Sequence, residues 1–140
     1  MSFLFDASSI FEAIVRGNIK VLSGNYTVEL ARYELNNILW KRARLIGDVT
    51  VEDVLKLADI VKRVLKLMNI INIDCCEDDI LKVAIKLGIT FYDAVYVYIS
   101  KAKGMTLVTE DKKLRKKIGS FVRVVSLSDI SLQSRRGLHT

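Results

Sequence analysis

Carboxylates are the side chains of this chain that are best suited to chemistry. The 140 residues include one histidine, His139, and two cysteines, the adjacent pair Cys75 and Cys76. Adjacent cysteines do not match the CxxC spacing of a zinc or redox site. A single histidine next to the C-terminus argues against a catalytic triad and against a histidine-ligated zinc ion. Any hydrolysis must therefore depend on carboxylates, hydroxyls, lysines or a hard metal ion.

Four of the sixteen acidic residues stand where a charge is costly, because their neighbours are apolar. They are Asp6, at the end of the first apolar run; Glu34, one helical turn from Leu30, Ala31 and Ile38; Asp93, the only charge between Leu87 and Ser100; and Asp111, shortly after the apolar run from Met105 to Val108. Each also has a simpler local explanation. The aspartates could cap helices, with Thr90 and Asp93 as a capping box, and the glutamate could form an ion pair at a helix boundary.

Mutual repulsion is the reason why such a group, if it converges, would need a metal ion. Two carboxylates about 4 Å apart repel each other by roughly 4 kcal/mol at an effective dielectric constant of about 20. An all-oxygen site suits Mg²⁺ or Mn²⁺, which retain water molecules and bind phosphate oxygens. Such an ion activates water for in-line attack on phosphorus. The four carboxylates therefore predict metal-dependent hydrolysis of a phosphodiester.

Positive charge is concentrated beside one of these carboxylates. The formal net charge is +6, and the segment from Lys101 to Lys117 has seven basic residues against two acidic ones. A solvated basic helix without a ligand is one explanation. A surface that binds the phosphates of a nucleic acid is the other, with Lys112, Lys113 and Arg115 as the candidates for substrate contact.

The elements that position these residues follow from hydrophobic periodicity and turn signals. The pattern predicts strands at residues 3–5, 20–22, 69–73, 105–108 and 122–125, and helices at 9–16, 27–46, 50–68, 77–87, 90–103 and 112–118. Ser9 and Glu12 have capping-box spacing, so Ser8 or Ser9 is expected to cap the first helix in place of Asp6. Strands that alternate with helices predict a three-layer α/β/α fold with a mostly parallel central sheet. Asp6 and Asp111 then lie at the carboxyl edge of the sheet, where ligands bind.

One domain is expected over residues 1–127, followed by a flexible tail at residues 128–140. Hydrophobic residues make up 51% of the chain, which is enough to build a core. No run approaches the roughly 18 to 20 apolar residues of a membrane span. Residues 1–16 also lack the pattern of a secretion signal, so the expected compartment is the cytoplasm.

The carboxylates and their neighbours resemble the PIN-domain family, and in particular the VapC-type ribonucleases of prokaryotic toxin–antitoxin pairs. The matching segments are Phe3-Leu-Phe-Asp6, Ala31-Arg-Tyr-Glu34-Leu-Asn-Asn37, Thr90-Phe-Tyr-Asp93-Ala and Leu107-Val-Thr109-Glu-Asp111-Lys-Lys-Leu114, within residues 3–127. Two positions depart from the family pattern: Ala7 stands where many members have threonine or serine, and Ser8 where others have asparagine.

The resemblance implies a specific function and site. Asp6, Glu34, Asp93 and Asp111 would bind one or two Mg²⁺ or Mn²⁺ ions, with Thr109 as a supporting residue. The fold would be PIN-like, with four or five parallel strands, and the protein would be an endoribonuclease acting on RNA. Homodimers and an inhibitory antitoxin partner are also implied.

Three other classes of protein compete with this hypothesis. A receiver domain would need an acidic pair after the first strand, where Asp6 stands alone. A haloacid-dehalogenase-like phosphatase would need Asp-x-Asp there, and Ala7-Ser8 follows instead. A catalytically silent PIN-like module that binds RNA or protein is the more serious alternative, although a pure binder has no use for four mutually repelling charges.

Overall fold

Five short strands form a single, entirely parallel sheet. They are β1 (Phe3–Phe5), β2 (Tyr26–Val28), β3 (Asn69–Ile71), β4 (Thr106–Val108) and β5 (Val124–Val125), in a computed structural model that describes residues 2–74 and 76–130. The strand order is β3-β2-β1-β4-β5. The chain therefore starts in the centre of the sheet and builds outward on both sides, so the order reverses beside β1.

Helices cover the sheet and connect its strands. They are α1 (Ala7–Val15), α2 (Leu30–Trp40), α3 (Val51–Leu67), α4 (Glu77–Leu87), α5 (Phe91–Lys103) and α6 (Lys112–Ile118). A π-helical turn, Lys41–Ile46, extends α2 and ends at Gly47, which adopts a left-handed conformation. Helix α2 packs on α3, and α4 packs on α5. The predicted three-layer α/β/α fold is confirmed.

The register of the sheet sets the ends of β1 and β4 side by side. Phe5 pairs with Val108, and the backbone N–H of Asp6 donates to the carbonyl oxygen of Val108 at 3.1 Å. Leu4, Phe5 and Leu107 are completely buried beneath this edge. The apolar strands thus anchor the polar residues that follow them.

The predicted second strand is wrong. Its residues belong to a 3₁₀ turn, Ile19–Val21, and the strand is formed by Tyr26–Val28, where the long helix was expected to start. The β-branched Thr27 is buried in this strand, and its hydroxyl donates to the carbonyl oxygen of Phe5 at 2.7 Å. Pairing with strands on both sides outweighs the helical periodicity of the residues that follow.

The core extends slightly beyond the expected end of the domain. Ile130, three residues beyond that end, is buried together with Leu127. The remainder of the expected tail, residues 131–140 with His139, lies outside the described residues. The flexibility of that tail stays a prediction. Within the described ranges, no helix combines the length and apolar character needed to cross a membrane.

Candidate active site

A cavity of about 610 Å³ opens at the carboxyl ends of β1 and β4, next to the point where the strand order reverses. Open parallel sheets bind their ligands at such points. All four predicted carboxylates line this cavity, and each comes from a different place in the fold: Asp6 from the junction of β1 and α1, Glu34 from α2, Asp93 from α5, and Asp111 from the start of α6. The tertiary structure therefore brings the predicted group together.

Asp6 is held firmly and serves two purposes at once. It is 7% exposed, and its Oδ1 accepts hydrogen bonds from the Ser8 hydroxyl at 2.7 Å and from the backbone N–H of Ser9 at 2.9 Å. Burial raises the pKa of Asp6, and hydrogen bonds from Thr109, Ser8 and Ser9 offset part of that rise. Asp6 is also the N-cap of α1.

The expectation that Ser8 or Ser9 would cap α1 is therefore wrong. Helix α1 begins at Ala7, so Ser9 lies inside its first turn. The Ser9 hydroxyl donates to the carbonyl oxygens of Asp6 and Val108, at 3.0 and 2.8 Å. The aspartate outcompetes the serines because its carboxylate reaches the free N–H group of the first turn while facing the cavity.

Glu34 is half-buried and is oriented by a neighbouring helix. Its Oε1 accepts a hydrogen bond from the hydroxyl of Tyr96, on α5, at 2.7 Å. Burial raises the pKa of Glu34, the Tyr96 hydroxyl lowers it, and the charges of Asp6 and Asp93 raise it further. The ion pair considered as an alternative for Glu34 does not form within residues 2–74 and 76–130.

Asp93 and Asp111 show that helix capping and a place in the cavity are compatible. The Thr90 hydroxyl caps α5 by accepting from the backbone N–H of Asp93 at 3.0 Å, as the alternative explanation for Asp93 proposed. Burial raises the pKa of Asp93, and the charge of Asp111 raises it further, against smaller opposing effects of Thr90 and Lys117. Asp111 caps α6 through the backbone N–H of Leu114 at 3.1 Å. Capping leaves both residues on the cavity wall.

The chemistry of these donors fits a hard divalent cation. The acidic groups of the cavity are all carboxylates, and two of them have pKa values raised partly by neighbouring negative charge. A divalent cation would remove that repulsion and prefers oxygen ligands. As they stand, however, no three Asp, Glu, His or Cys side chains of the described residues are close enough to hold one ion. The carboxylates would have to draw together around it.

The predicted basic contacts divide into two kinds. Lys112 and Lys113 are exposed on α6, and their contact with a substrate stays a prediction. Arg115 turns inward, and its Nη1 donates to the carbonyl oxygen of Thr109 at 2.6 Å. Thr109 itself is completely buried and bonds Asp6. Arg115 therefore supports the turn that carries Thr109 and Asp111.

The cavity also contains residues that the sequence analysis did not select. Tyr33, Asn37 and Lys41 line it from α2 and its extension, and Tyr92 lines it from α5. A signal for Asn37 and Lys41 was available, because they lie three and seven residues after Glu34 and so share its side of the helix. Tyr33 and Tyr92 are 69% and 60% exposed, so both rings are largely open to solvent where they line the cavity.

The parallel five-stranded sheet and the four carboxylates at its switch point are the arrangement expected of a PIN-like protein. No family model matches the chain. Two curated proteins of Pyrobaculum aerophilum do. Exonuclease VapC9 is 34% identical over 129 residues, which cover 91% of this chain and 93% of that protein. Ribonuclease VapC3 is 31% identical over 97 residues, which cover 69% of this chain and 73% of that protein. The chain belongs to the VapC family of PIN-domain proteins.

Solved structures share the fold. PAE2754 from Pyrobaculum aerophilum superposes with a TM-score of 0.80 at 31% identity, over 95% of this chain and 96% of that one. A toxin–antitoxin complex from Klebsiella pneumoniae has a TM-score of 0.62 at 16% identity, over 89% and 96% of the two chains. VapBC2 from Rickettsia felis, bound to a promoter DNA fragment, has a TM-score of 0.61 at 17% identity, over 90% and 98%. The last two show a common fold alone.

Proposed function

We propose that this protein is a Mg²⁺- or Mn²⁺-dependent endoribonuclease and the toxin of a toxin–antitoxin pair. The observation that carries the proposal is the convergence of four carboxylates from four places in the fold on one cavity. The names of its two relatives, an exonuclease and a ribonuclease, support a nuclease. The proposal adds two points that those names do not state, namely the dependence on a metal ion and the endonucleolytic cleavage of RNA.

The residues divide the work of catalysis between them. Asp6, Glu34, Asp93 and Asp111 would hold the metal, which supplies an activated water and offsets the charge that develops on the transferred phosphoryl group. Asp6 is preset by its bonds to Ser8 and Ser9. The short hydrogen bond from Tyr96 presets Glu34. Preset ligands lower the cost of assembling the site when the metal and substrate bind.

Positive charge around the acidic cavity would receive the substrate. Lys41 lies on the cavity wall, and the charge of Lys117 acts on Asp93. Lys112 and Lys113 extend the basic surface along α6. Phosphates on both sides of the reacting one would be bound there, while the carboxylates and their metal act on the phosphate between them.

The test is cleavage of RNA with a metal control and a site control. Labelled single-stranded RNA is incubated with Mn²⁺, Mg²⁺ or EDTA, with wild type and Asp93→Asn purified in parallel to exclude a contaminating nuclease. We expect cleavage that requires the metal and is lost in the variant. A circular RNA separates endonuclease from exonuclease action, because it has no ends. RNA binding without cleavage under any of these conditions would favour the catalytically silent module.

The partners belong to the same proposal. Five large apolar side chains around the end of α2 and the start of α3 are 51–69% exposed: Trp40, Leu45, Ile46, Val51 and Leu55. Such a surface is typical of protein contacts, and we propose an antitoxin and a second copy of the chain as its partners. The neighbours from Klebsiella pneumoniae and Rickettsia felis are toxin–antitoxin assemblies. A cytoplasmic location is also part of the proposal.

The oligomeric state has a direct test. Sedimentation velocity of the purified chain, alone and with the product of an adjacent reading frame, measures the mass of each assembly. A homodimer that binds the second protein is the expected result. A chain that stays monomeric and does not bind the second protein would contradict the proposal of both partners.

A further inference from the structure

A second and smaller cavity lies beside the catalytic one. Its volume is about 160 Å³, and it shares Leu30 and Tyr92 with the larger cavity. It opens at the carboxyl ends of β2 and β3, between Val28, Ile71 and Val95. The two cavities are therefore adjacent along the edge of the sheet where the substrate is expected.

The size and lining of this cavity suit one flat aromatic group. An apolar cavity of about 150 Å³ is known to accept benzene. Phe91 and Tyr92 supply aromatic rings to the wall, which also includes the buried side chains of Val28 and Val95. Unpaired bases stack on aromatic side chains, and each such contact strengthens binding by roughly 5- to 150-fold.

Asn72 contributes a side-chain amide to the wall that is available to recognise a ligand. Asn72 is exposed, and its side-chain amide forms no hydrogen bond with any residue in the ranges 2–74 and 76–130. An amide offers a donor and an acceptor side by side, which is the pattern that pairs with the edge of a base. The carboxylate of Glu29, also in the wall, is by contrast already paired with Arg32 at 2.7 Å.

We infer that this smaller cavity, the base pocket, takes one unpaired nucleobase next to the phosphodiester that lies in the catalytic cavity. The base stacks against Tyr92 and Phe91, and Asn72 binds its edge. A base can enter only if it is unstacked and unpaired, so the substrate is single-stranded RNA or a loop. This inference rests on the proposed ribonuclease function and names its substrate class and a specificity element.

The experiment measures binding without cleavage. A short fluorescent single-stranded RNA is titrated with the protein in EDTA, and then the same RNA with one abasic ribose moved along it position by position. For wild type we expect one position at which loss of the base weakens binding by about 10-fold. Tyr92→Ala removes that dependence on position. Tyr98→Phe, on the same helix as Tyr92 and outside the lining of both cavities, is the control and retains it.

A second variant tests recognition of the base edge. Asn72→Ala is expected to fold normally, because its side chain is exposed and unbonded. It should keep the effect of the abasic site and lose the discrimination among the four bases at that position. Equal abasic effects at all positions in wild type would overturn the inference.

The remaining outcomes separate this inference from the proposed function. If wild type cleaves RNA and both pocket variants bind and discriminate as wild type does, the base pocket is wrong and the ribonuclease stands. If wild type neither binds nor cleaves RNA, both fail. Loss of a protein partner in the two variants, with RNA binding intact, would assign the cavity to a protein ligand and overturn the inference.

Discussion

Asp93 lines the candidate site, and its partial burial there lowers the stability of the fold. Burial is the main cause of its raised pKa, and the charge of Asp111 is the next. A carboxyl group whose pKa is raised by folding stabilises the protein fully only below its unfolded pKa. That stability is lost as the pH rises through the folded pKa. At neutral pH without metal, the Asp93 carboxylate is therefore a destabilising group.

Asp93→Asn is expected to separate function from stability. Cleavage should fall by at least roughly 100-fold, since a charged group of the site is removed. In metal-free buffer at neutral pH the free energy of unfolding should stay equal or rise, and this advantage should disappear as the pH falls below the raised pKa. Urea unfolding at several pH values measures it, with Asp78→Asn in the exposed first turn of α4 as control. Strong destabilisation without metal would show that Asp93 is primarily a capping residue.

Tyr96 is the residue that gives Glu34 its orientation. It is 2% exposed, and its hydroxyl lies 2.7 Å from Oε1 of Glu34. Burial and the adjacent carboxylate raise the pKa of Tyr96 far above its ordinary value, so the hydroxyl remains a donor. A phenylalanine would keep the packing of the ring and remove the hydroxyl, which also accepts a hydrogen bond from the backbone N–H of Ala7.

Tyr96→Phe is expected to weaken Mn²⁺ binding by about 10- to 100-fold, the scale of losing a group that orients a metal ligand. The free energy of unfolding should change by only about 1 kcal/mol. Calorimetric titration with Mn²⁺ gives the affinity. Tyr98→Phe, on the same helix with its hydroxyl 3.5 Å from Asp79, is the control. Unchanged Mn²⁺ affinity in Tyr96→Phe would show that the hydrogen bond does not position Glu34 for the metal.

At the scale of elements, the turn between β4 and α6 carries the site and is braced from several directions. Arg115 binds the carbonyl oxygen of Thr109, and the hydroxyl of Ser8 accepts from the backbone N–H of Glu110 at 3.1 Å. The carboxylate of Glu110 in turn accepts from the backbone N–H of Leu127 at 2.7 Å. The turn thus joins β4 and α6 to the start of α1 and the end of the described chain.

Two substitutions on α6 should therefore have different effects, one on stability and the other on RNA binding. Arg115→Ala is expected to lower the free energy of unfolding by about 1–3 kcal/mol, because it leaves a buried carbonyl without its partner. Lys113→Ala should stay within about 0.5 kcal/mol of wild type and weaken RNA binding in a salt-dependent way. Urea unfolding and RNA titrations at two salt concentrations measure these effects. If Arg115→Ala is as stable as wild type and only binds RNA more weakly, Arg115 is a substrate contact and does not support the turn.

At the scale of the whole molecule, a metal ion bound at the proposed site would crosslink distant parts of the chain. The four carboxylates belong to elements spread from residue 6 to residue 111, and all four line one cavity. A ligand that binds only the folded chain stabilises it in proportion to the logarithm of its concentration. The apolar core and the metal would then stabilise the same cooperative unit.

Mn²⁺ is expected to raise the melting temperature of wild type. The gain in free energy is about 2.7 kcal/mol when the metal is present at about 100 times its dissociation constant. Thermal unfolding with and without Mn²⁺ measures it, and Asp93→Asn should lose most of the shift. An equal shift in both proteins would place the bound metal elsewhere.

The sequence predicted the elements of this fold well where local signals are strong. Hydrophobic periodicity and turn signals located α3 to α6 to within one residue at each end. The errors lie at Asp6, which caps α1 itself, and at Tyr26–Val28, a strand whose residues continue a helical pattern. In both places a long-range contact decides between two locally acceptable conformations. Hydrophobic periodicity is a local property of the sequence and does not report such a contact.

The sequence by itself determined the α/β class and the four carboxylates, because a charge in an apolar run is a local property of the chain. Only the tertiary structure decided which side chains share a cavity. It joined Glu34 to Tyr96 across 62 residues, turned Arg115 toward the backbone, and set a second cavity against the first. These features depend on strand register and on the rotation of each helix about its axis, which are set by packing of the whole core.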